Sequence, residues 1–139
     1  TGTITACGVS TIEYVNYTLD GTSYNLSSAN PSDSIFGYTR LLNTGVAYET
    51  DLGGFSSSSI NDIHIEFPSA SMVPGTYQAR YVRAHQIGGG NPVNPFNVIV
   101  TNFPAAAGGF YEGSFSGQFR DSVGAGNLHS LNGTFRIRK

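Results

Sequence analysis

Tryptophan is absent, cysteine and methionine occur once each, and charged residues make up only 12% of the 139 positions. Each shortage excludes something. A single cysteine, Cys7, cannot form an internal disulfide, so cysteine usage says nothing about an oxidising or reducing compartment. Six of the seven bases are arginine, Lys139 being the one lysine, and helical surfaces are ordinarily rich in lysine and glutamate, so a helical protein is disfavoured. A formal net charge of −2 removes the electrostatic footprint of a nucleic-acid binder or of a protein held to an anionic membrane. No apolar run approaches the ~20 residues of a membrane-spanning helix. The chain opens Thr1-Gly2-Thr3 without methionine or a signal segment, which reads as a mature or excised fragment.

What is present is glycine, aromatic residues and alternation. Glycine (18) and proline (6) are frequent, and 12% aromatics within 39% hydrophobics are ample for a core, so global disorder is not expected. The dominant period is two, the mark of half-buried strands. Val15, Tyr17 and Leu19 alternate with Tyr14, Asn16 and Thr18; Asp20-Gly21 then predicts a two-residue hairpin turn into Thr22–Leu26, because both turn positions need positive φ. Ile63, Ile65 and Phe67 alternate with Asp62, His64 and Glu66 until Pro68 ends the run. Pro74-Gly75 leads into a single long run, Thr76–Gln86, with Tyr77, Ala79 and Tyr81 on one face. Gly88–Gly90 with Asn91-Pro92 reads as a flexible loop, followed by a strand from Phe96 to Phe103. Phe110–Arg120 and the final run through Leu131, Phe135 and Ile137 predict a closing hairpin, with Gly113 and Gly117 where a ring or second layer comes close. In the least readable part, 27–59, Gly53-Gly54 and Ser56–Ser59 read as loops between short strands at Ile35–Arg40 and Val46–Thr50.

Seven to nine such strands, with no 3.6-residue period and no repeat, predict one domain over residues 1–139. It is expected to be all-β, an antiparallel β-sandwich of immunoglobulin-like or Greek-key type. The expected core is Val15, Tyr17, Leu19, Ile63, Ile65, Phe67, Tyr77, Tyr81, Val98, Val100, Phe115, Phe119, Phe135 and Ile137.

No motif commits the chain to catalysis, and no catalytic residue is assigned. Nine acids are spread thinly, and nothing in their spacing pairs two of them as a glycan hydrolase requires. His64-Ile65-Glu66 places an imidazole and a carboxylate on one strand face, but two ligands are too few for a metal, and a wet sheet face is the ordinary reading. Asp51, Asn61 and Asp62 are loop oxygens that calcium accepts, although no Asp-x-Asp-x-Asp string accompanies them. Gly-x-Ser-x-Gly is missing, and Gly88–Gly90 lacks the Lys-Ser/Thr of a phosphate loop. No cofactor or metal is therefore expected. Ile4-Thr5-Ala6-Cys7 has the look of a lipoprotein processing box without the apolar segment that precedes one, so Cys7 reads as a buried structural cysteine. Asn16, Asn25 and Asn132 head Asn-x-Ser/Thr sequons, which matter only in a eukaryotic secretory pathway. For sugar binding the candidate exposed rings are Tyr14, Tyr38 and Tyr48, in a chain without the tryptophan that offers the largest stacking face.

Both ends carry a resemblance. Ile4-Thr5-Ala6-Cys7-Gly8 with Tyr14-Val15-Asn16-Tyr17-Thr18-Leu19-Asp20-Gly21, and Tyr111-Glu112-Gly113-Ser114-Phe115-Ser116-Gly117 with Asn132-Gly133-Thr134-Phe135-Arg136-Ile137, cover about a third of the chain. They resemble β-sandwich modules near the C-termini of secreted or lipid-anchored cell-surface proteins of Bacteroidetes, which often close with a G-x-F-x-G strand paired to an N-G-x-F strand. The resemblance implies export, a place outside the cell or at the outer-membrane surface, and a non-catalytic role; it carries over no functional residues. The expected function is thus a non-enzymatic extracellular or cell-surface module for adhesion, assembly or display, within a larger envelope protein or filament. The alternatives are a carbohydrate-binding module using exposed tyrosines and a small glycan hydrolase with paired carboxylates. The partners expected are a polysaccharide or another envelope protein, with edge strands as the route to oligomers; nucleic acid and membrane insertion are not expected.

Overall fold

The computed structural model describes residues 2, 10–42, 45, 47–58, 60–90, 92–121 and 126–139. Cys7 lies outside the described residues. Eleven strands follow one another, and no helix occurs among the described residues: β1 (Tyr14–Leu19), β2 (Thr22–Ser27), β3 (Asp33–Leu41), β4 (Tyr48–Ser56), β5 (Asp62–Pro68), β6 (Gly75–Gln78), β7 (Tyr81–Ala84), β8 (Ile87–Gly90), β9 (Pro92–Asn102), β10 (Phe110–Arg120) and β11 (Leu128–Arg138). They form two antiparallel sheets packed as a β-sandwich, one ordered β2-β1-β11-β10-β9-β6 and the other β3-β4-β5-β7-β8. Most sequence neighbours are also spatial neighbours, and the meander is closed by pairing of β1 with β11.

The period-two segments behave as their patterns dictate. Asp20 (φ 48°) and Gly21 (φ 85°) both adopt left-handed backbone between Leu19 and Thr22, which face each other across the β1–β2 hairpin. Asp62–Pro68 keeps Ile63, Ile65 and Phe67 inward. The closing hairpin sets Phe115 opposite Gly133 and Gly113 opposite Phe135. Side chains would collide here. A Cβ on Gly133 would sit 2.6 Å from the Phe115 ring, and one on Gly117 2.8 Å from the Phe96 backbone and ring, so these glycines let rings lie flat across the neighbouring strand. Twelve of the fourteen expected core residues are buried, each large apolar side chain contributing about 1.5–3 kcal/mol.

The structure corrects the readings of Thr76–Gln86 as one strand, of Tyr81 as core, and of Gly53-Gly54 and Gly88–Gly90 as loops. Eleven strands lie among the described residues where roughly seven to nine are expected, and one of the turns between them carries no glycine or proline. His85 (φ 51°) and Gln86 (φ 56°) turn β7 into β8, held by His85 N–H on the Asp62 carbonyl (2.8 Å) and Gln86 N–H on Asp62 Oδ1 (2.6 Å). Thr76–Gln86 is not one strand: the Ala79 N–H donates to Phe96 of the six-stranded sheet, the next N–H, of Arg80, to Glu66 of the five-stranded sheet. The chain changes layers between them. The change also flips the alternation, so Tyr81 leaves the core face that Tyr77 partly keeps and stands on the outside opposite Glu66. Gly53-Gly54 is the middle of β4 rather than a loop, and Gly88–Gly90 belongs to β8.

Candidate functional site

The two outer faces differ in chemistry. On the six-stranded sheet, Asn16, Thr18, Asn25, Asn132 and Thr134 form an uncharged surface on β1, β2 and β11, with Asn25 Nδ2 donating to Asn16 Oδ1; the three sequon asparagines converge here. The five-stranded sheet instead concentrates charge and rings. Its register aligns Tyr38, Asp51, Glu66 and Tyr81 in one row across β3, β4, β5 and β7, and Phe36, Gly53, His64 and Arg83 in the next. Period-two alternation puts all of these side chains on the same side.

The rings form a strip. Phe36 lies 6.3 Å from Tyr38 and 5.3 Å from His64, and His64 lies 5.3 Å from Tyr81, centre to centre. Phe36 reaches across because Gly53 has no side chain: a Cβ there would be 2.8 Å from the Phe36 Cζ. Spanning four strands, the strip is about 15 Å long. Tyr38 is 44% exposed.

Beneath the strip runs an ion network. Arg40 Nη2 donates to Glu49 Oε1 at 2.9 Å, and its Nε faces Asp51 Oδ2 at 3.3 Å. Arg80 Nη2 is ion-paired with Glu49 Oε2 and faces Glu66 Oε2 at 3.7 Å. His64 Nε2 lies 3.1 Å from Asp51 Oδ1 and 3.4 Å from Glu66 Oε1. The Glu49 and Asp51 side chains are 1% exposed, buried by the half-exposed arginines over them. Desolvation, and then the charge of Asp51, raise the Glu66 carboxyl above its usual range. The same two causes, in the same order, raise the Tyr38 hydroxyl, while the hydrogen bond to Glu49 holds Arg40 firmly charged. The surface thus sets rings tilted by 36°, 81° and 60° to their neighbours beside fixed donors and acceptors.

The three candidate tyrosines do not form one platform. Tyr38 belongs to the strip. Tyr14 is half-buried on the opposite sheet, between Ser27 and Arg136. Tyr48 is half-buried at the start of β4, in phase with the inward Thr50 and Leu52. His64 and Glu66, too few by themselves for a metal site, gain Asp51 from the adjacent strand, and these three are the residues able to hold a metal ion among those described. The calcium trio does not converge: Asp51 faces His64, Asp62 is taken by Arg83 (2.9 Å) and Gln86, and Asn61 bonds the Tyr17 hydroxyl. Sequence reasoning missed Phe36, Tyr81, Arg40 and Arg80; a short strand over Ile35–Arg40 was legible, but not its register with the strands beside it. Comparison with family models, curated proteins and solved structures returned no match.

Proposed function

We propose that this chain is a non-enzymatic extracellular binding module that serves adhesion at a cell surface and takes polysaccharide on the outer face of the five-stranded sheet. The observation that carries the reading is the strip Tyr38–Phe36–His64–Tyr81 lying over the Arg40–Glu49–Asp51–Glu66–Arg80 network. Apolar faces of sugar rings stack on aromatics, while hydroxyls need fixed charged or polar partners close by. Because Glu49 ties both arginines together, those partners are set before a ligand arrives, which reduces the ordering cost of binding. The resemblance of both chain ends to cell-surface modules supports the extracellular setting.

The test is depletion of the protein from solution by insoluble polysaccharides, with affinity electrophoresis on soluble ones. Tyr38→Ala and Tyr81→Ala are expected to weaken saturable binding by roughly tenfold or more each, about 1.4 kcal/mol per lost stacking face, while Tyr14→Ala leaves it unchanged. Binding that survives both substitutions, or disappears with Tyr14→Ala, contradicts the assignment. Absence of binding across the panel favours a protein-assembly or display role instead.

A second reading rests on one observation. The Glu66 carboxyl is raised by burial and by the charge of Asp51, and a raised carboxyl beside a second carboxyl group is part of the equipment of a glycan hydrolase. Release of reducing ends from the same polysaccharides, lost in Glu66→Gln, would establish it; no release removes it.

A further inference from the structure

We propose that Asp51, His64 and Glu66 form a binding site for a divalent transition-metal ion of the zinc type. Asp51 lies on β4 directly opposite Glu66 on β5, and His64 is two residues before Glu66 on the same strand face. Their donor atoms all lie within 4.8 Å of one another, with His64 Nε2 3.1 Å from Asp51 Oδ1 and 3.4 Å from Glu66 Oε1. Two zinc bonds of ~2.0–2.1 Å at a tetrahedral angle hold their donors about 3.3–3.5 Å apart. The pairs through His64 are therefore already close to ligand spacing, and three protein donors leave a fourth position for water.

Hydrogen bonding alone uses this arrangement poorly. The single hydrogen on Nε2 can be directed at one carboxylate oxygen at a time, whereas a cation at the convergence serves both oxygens and the nitrogen lone pair. The formal charges agree: three carboxylates (Glu49, Asp51, Glu66) meet two guanidinium groups (Arg40, Arg80), an excess of one negative charge. Arg40 and Arg80 face the outer oxygens of Asp51 and Glu66, the place of groups that orient metal ligands. A nitrogen donor and only three protein ligands do not suit calcium or magnesium, which take six or more oxygens, waters included.

The inference stands or falls separately from the polysaccharide reading. Zinc ion alone is titrated calorimetrically into the metal-stripped full chain, and cobalt(II) is followed by its visible absorption, which distinguishes tetrahedral from octahedral coordination. The expected result is one ion per chain, with affinity reduced at least about tenfold in His64→Ala and in Glu66→Gln, and unchanged in His129→Asn. Circular dichroism checks that each variant folds; if His64→Ala does not, Glu66→Gln carries the comparison. No saturable binding up to millimolar zinc overturns the proposal. So does one-site binding that survives both substitutions. Polysaccharide retention measured in a chelator reports on the glycan reading alone.

Discussion

Gly53→Ala separates two opposite expectations for the same methyl group. From chain entropy and strand propensity alone, alanine in the middle of β4 should stabilise by about 0.5–1 kcal/mol, since glycine loses the most freedom on folding. The structure predicts the reverse. The new Cβ would stand 2.8 Å from Phe36 Cζ and 3.1 Å from His64 Cα, and closer still to the Ile63 carbonyl oxygen. Phe36 can swing aside, but the other two atoms are backbone of β5, fixed by the β4–β5 ladder. Overpacking costs about 1–3 kcal/mol, and contact with two fixed backbone atoms puts this site in the upper half of that range, so the entropy gain is outweighed and a net loss of about 1–2 kcal/mol remains. For a chain of this length that lowers Tm by roughly 3–7 °C. Urea denaturation followed by circular dichroism gives the value directly, with Gly75→Ala as control. Gly75 lies on edge strand β6, where the nearest atom to an added Cβ is 4.0 Å away, so that substitution should be neutral or slightly stabilising. A neutral or stabilising Gly53→Ala would refute the argument that this glycine exists to admit the Phe36 ring and the neighbouring strand.

Three further outcomes are expected. His129 Nδ1 pairs with Asp20 Oδ2 at 2.7 Å; the hydrogen bond to Asp20 raises the His129 pKa despite some burial. Burial opposes the charged form of Asp20, but bonds from His129 and the Ser130 N–H outweigh it and hold that carboxyl low. The raised histidine stabilises fully below its unfolded pKa of about 6.5 and loses this as pH rises through its folded value. The lowered aspartate stabilises above about 3.9 and loses this as pH falls through its folded value. The Tm difference between wild type and His129→Asn should therefore peak near pH 5 and shrink by pH 9, and a difference constant across that range contradicts the pairing. Gly21→Val, at φ 85° in the β1–β2 turn, should cost about 1–2 kcal/mol in the same urea assay, and a neutral result denies the left-handed turn. Phe96→Ala, which empties a fully buried ring site over Gly117, should cost about 3–5 kcal/mol; a loss below 1 kcal/mol would mean that the ring is not in the core.

The fold was legible where side-chain alternation and turn chemistry agree, as at Tyr14–Leu26, Asp62–Pro68 and the closing hairpin. It was not legible where a backbone hydrogen bond makes the decision. Ala79 and Arg80 send successive N–H groups to different sheets, and no residue type announces that. His85-Gln86 turns with positive φ because the Asp62 backbone and carboxylate hold it, not because of glycine. Gly53-Gly54 has the composition of a loop, yet its missing side chains serve cross-strand packing. The candidate site was half visible: His64 and Glu66 share a face by spacing alone, and Tyr38 was picked out as an exposed ring. Asp51, Arg40, Phe36 and Tyr81 join them only through the β3–β4–β5–β7 register, which depends on long-range pairing that one sequence does not specify.

The central claim is that the outer face of the five-stranded sheet is the ligand face. The most direct test is an amide-resolved NMR titration of the labelled chain with a polysaccharide fragment that the depletion panel selects. Shifts concentrated on Phe36, Tyr38, Asp51, His64, Glu66 and Tyr81, with Asn16, Asn25 and Asn132 unmoved, are the predicted result. Shifts concentrated on the asparagine face of the six-stranded sheet would contradict it.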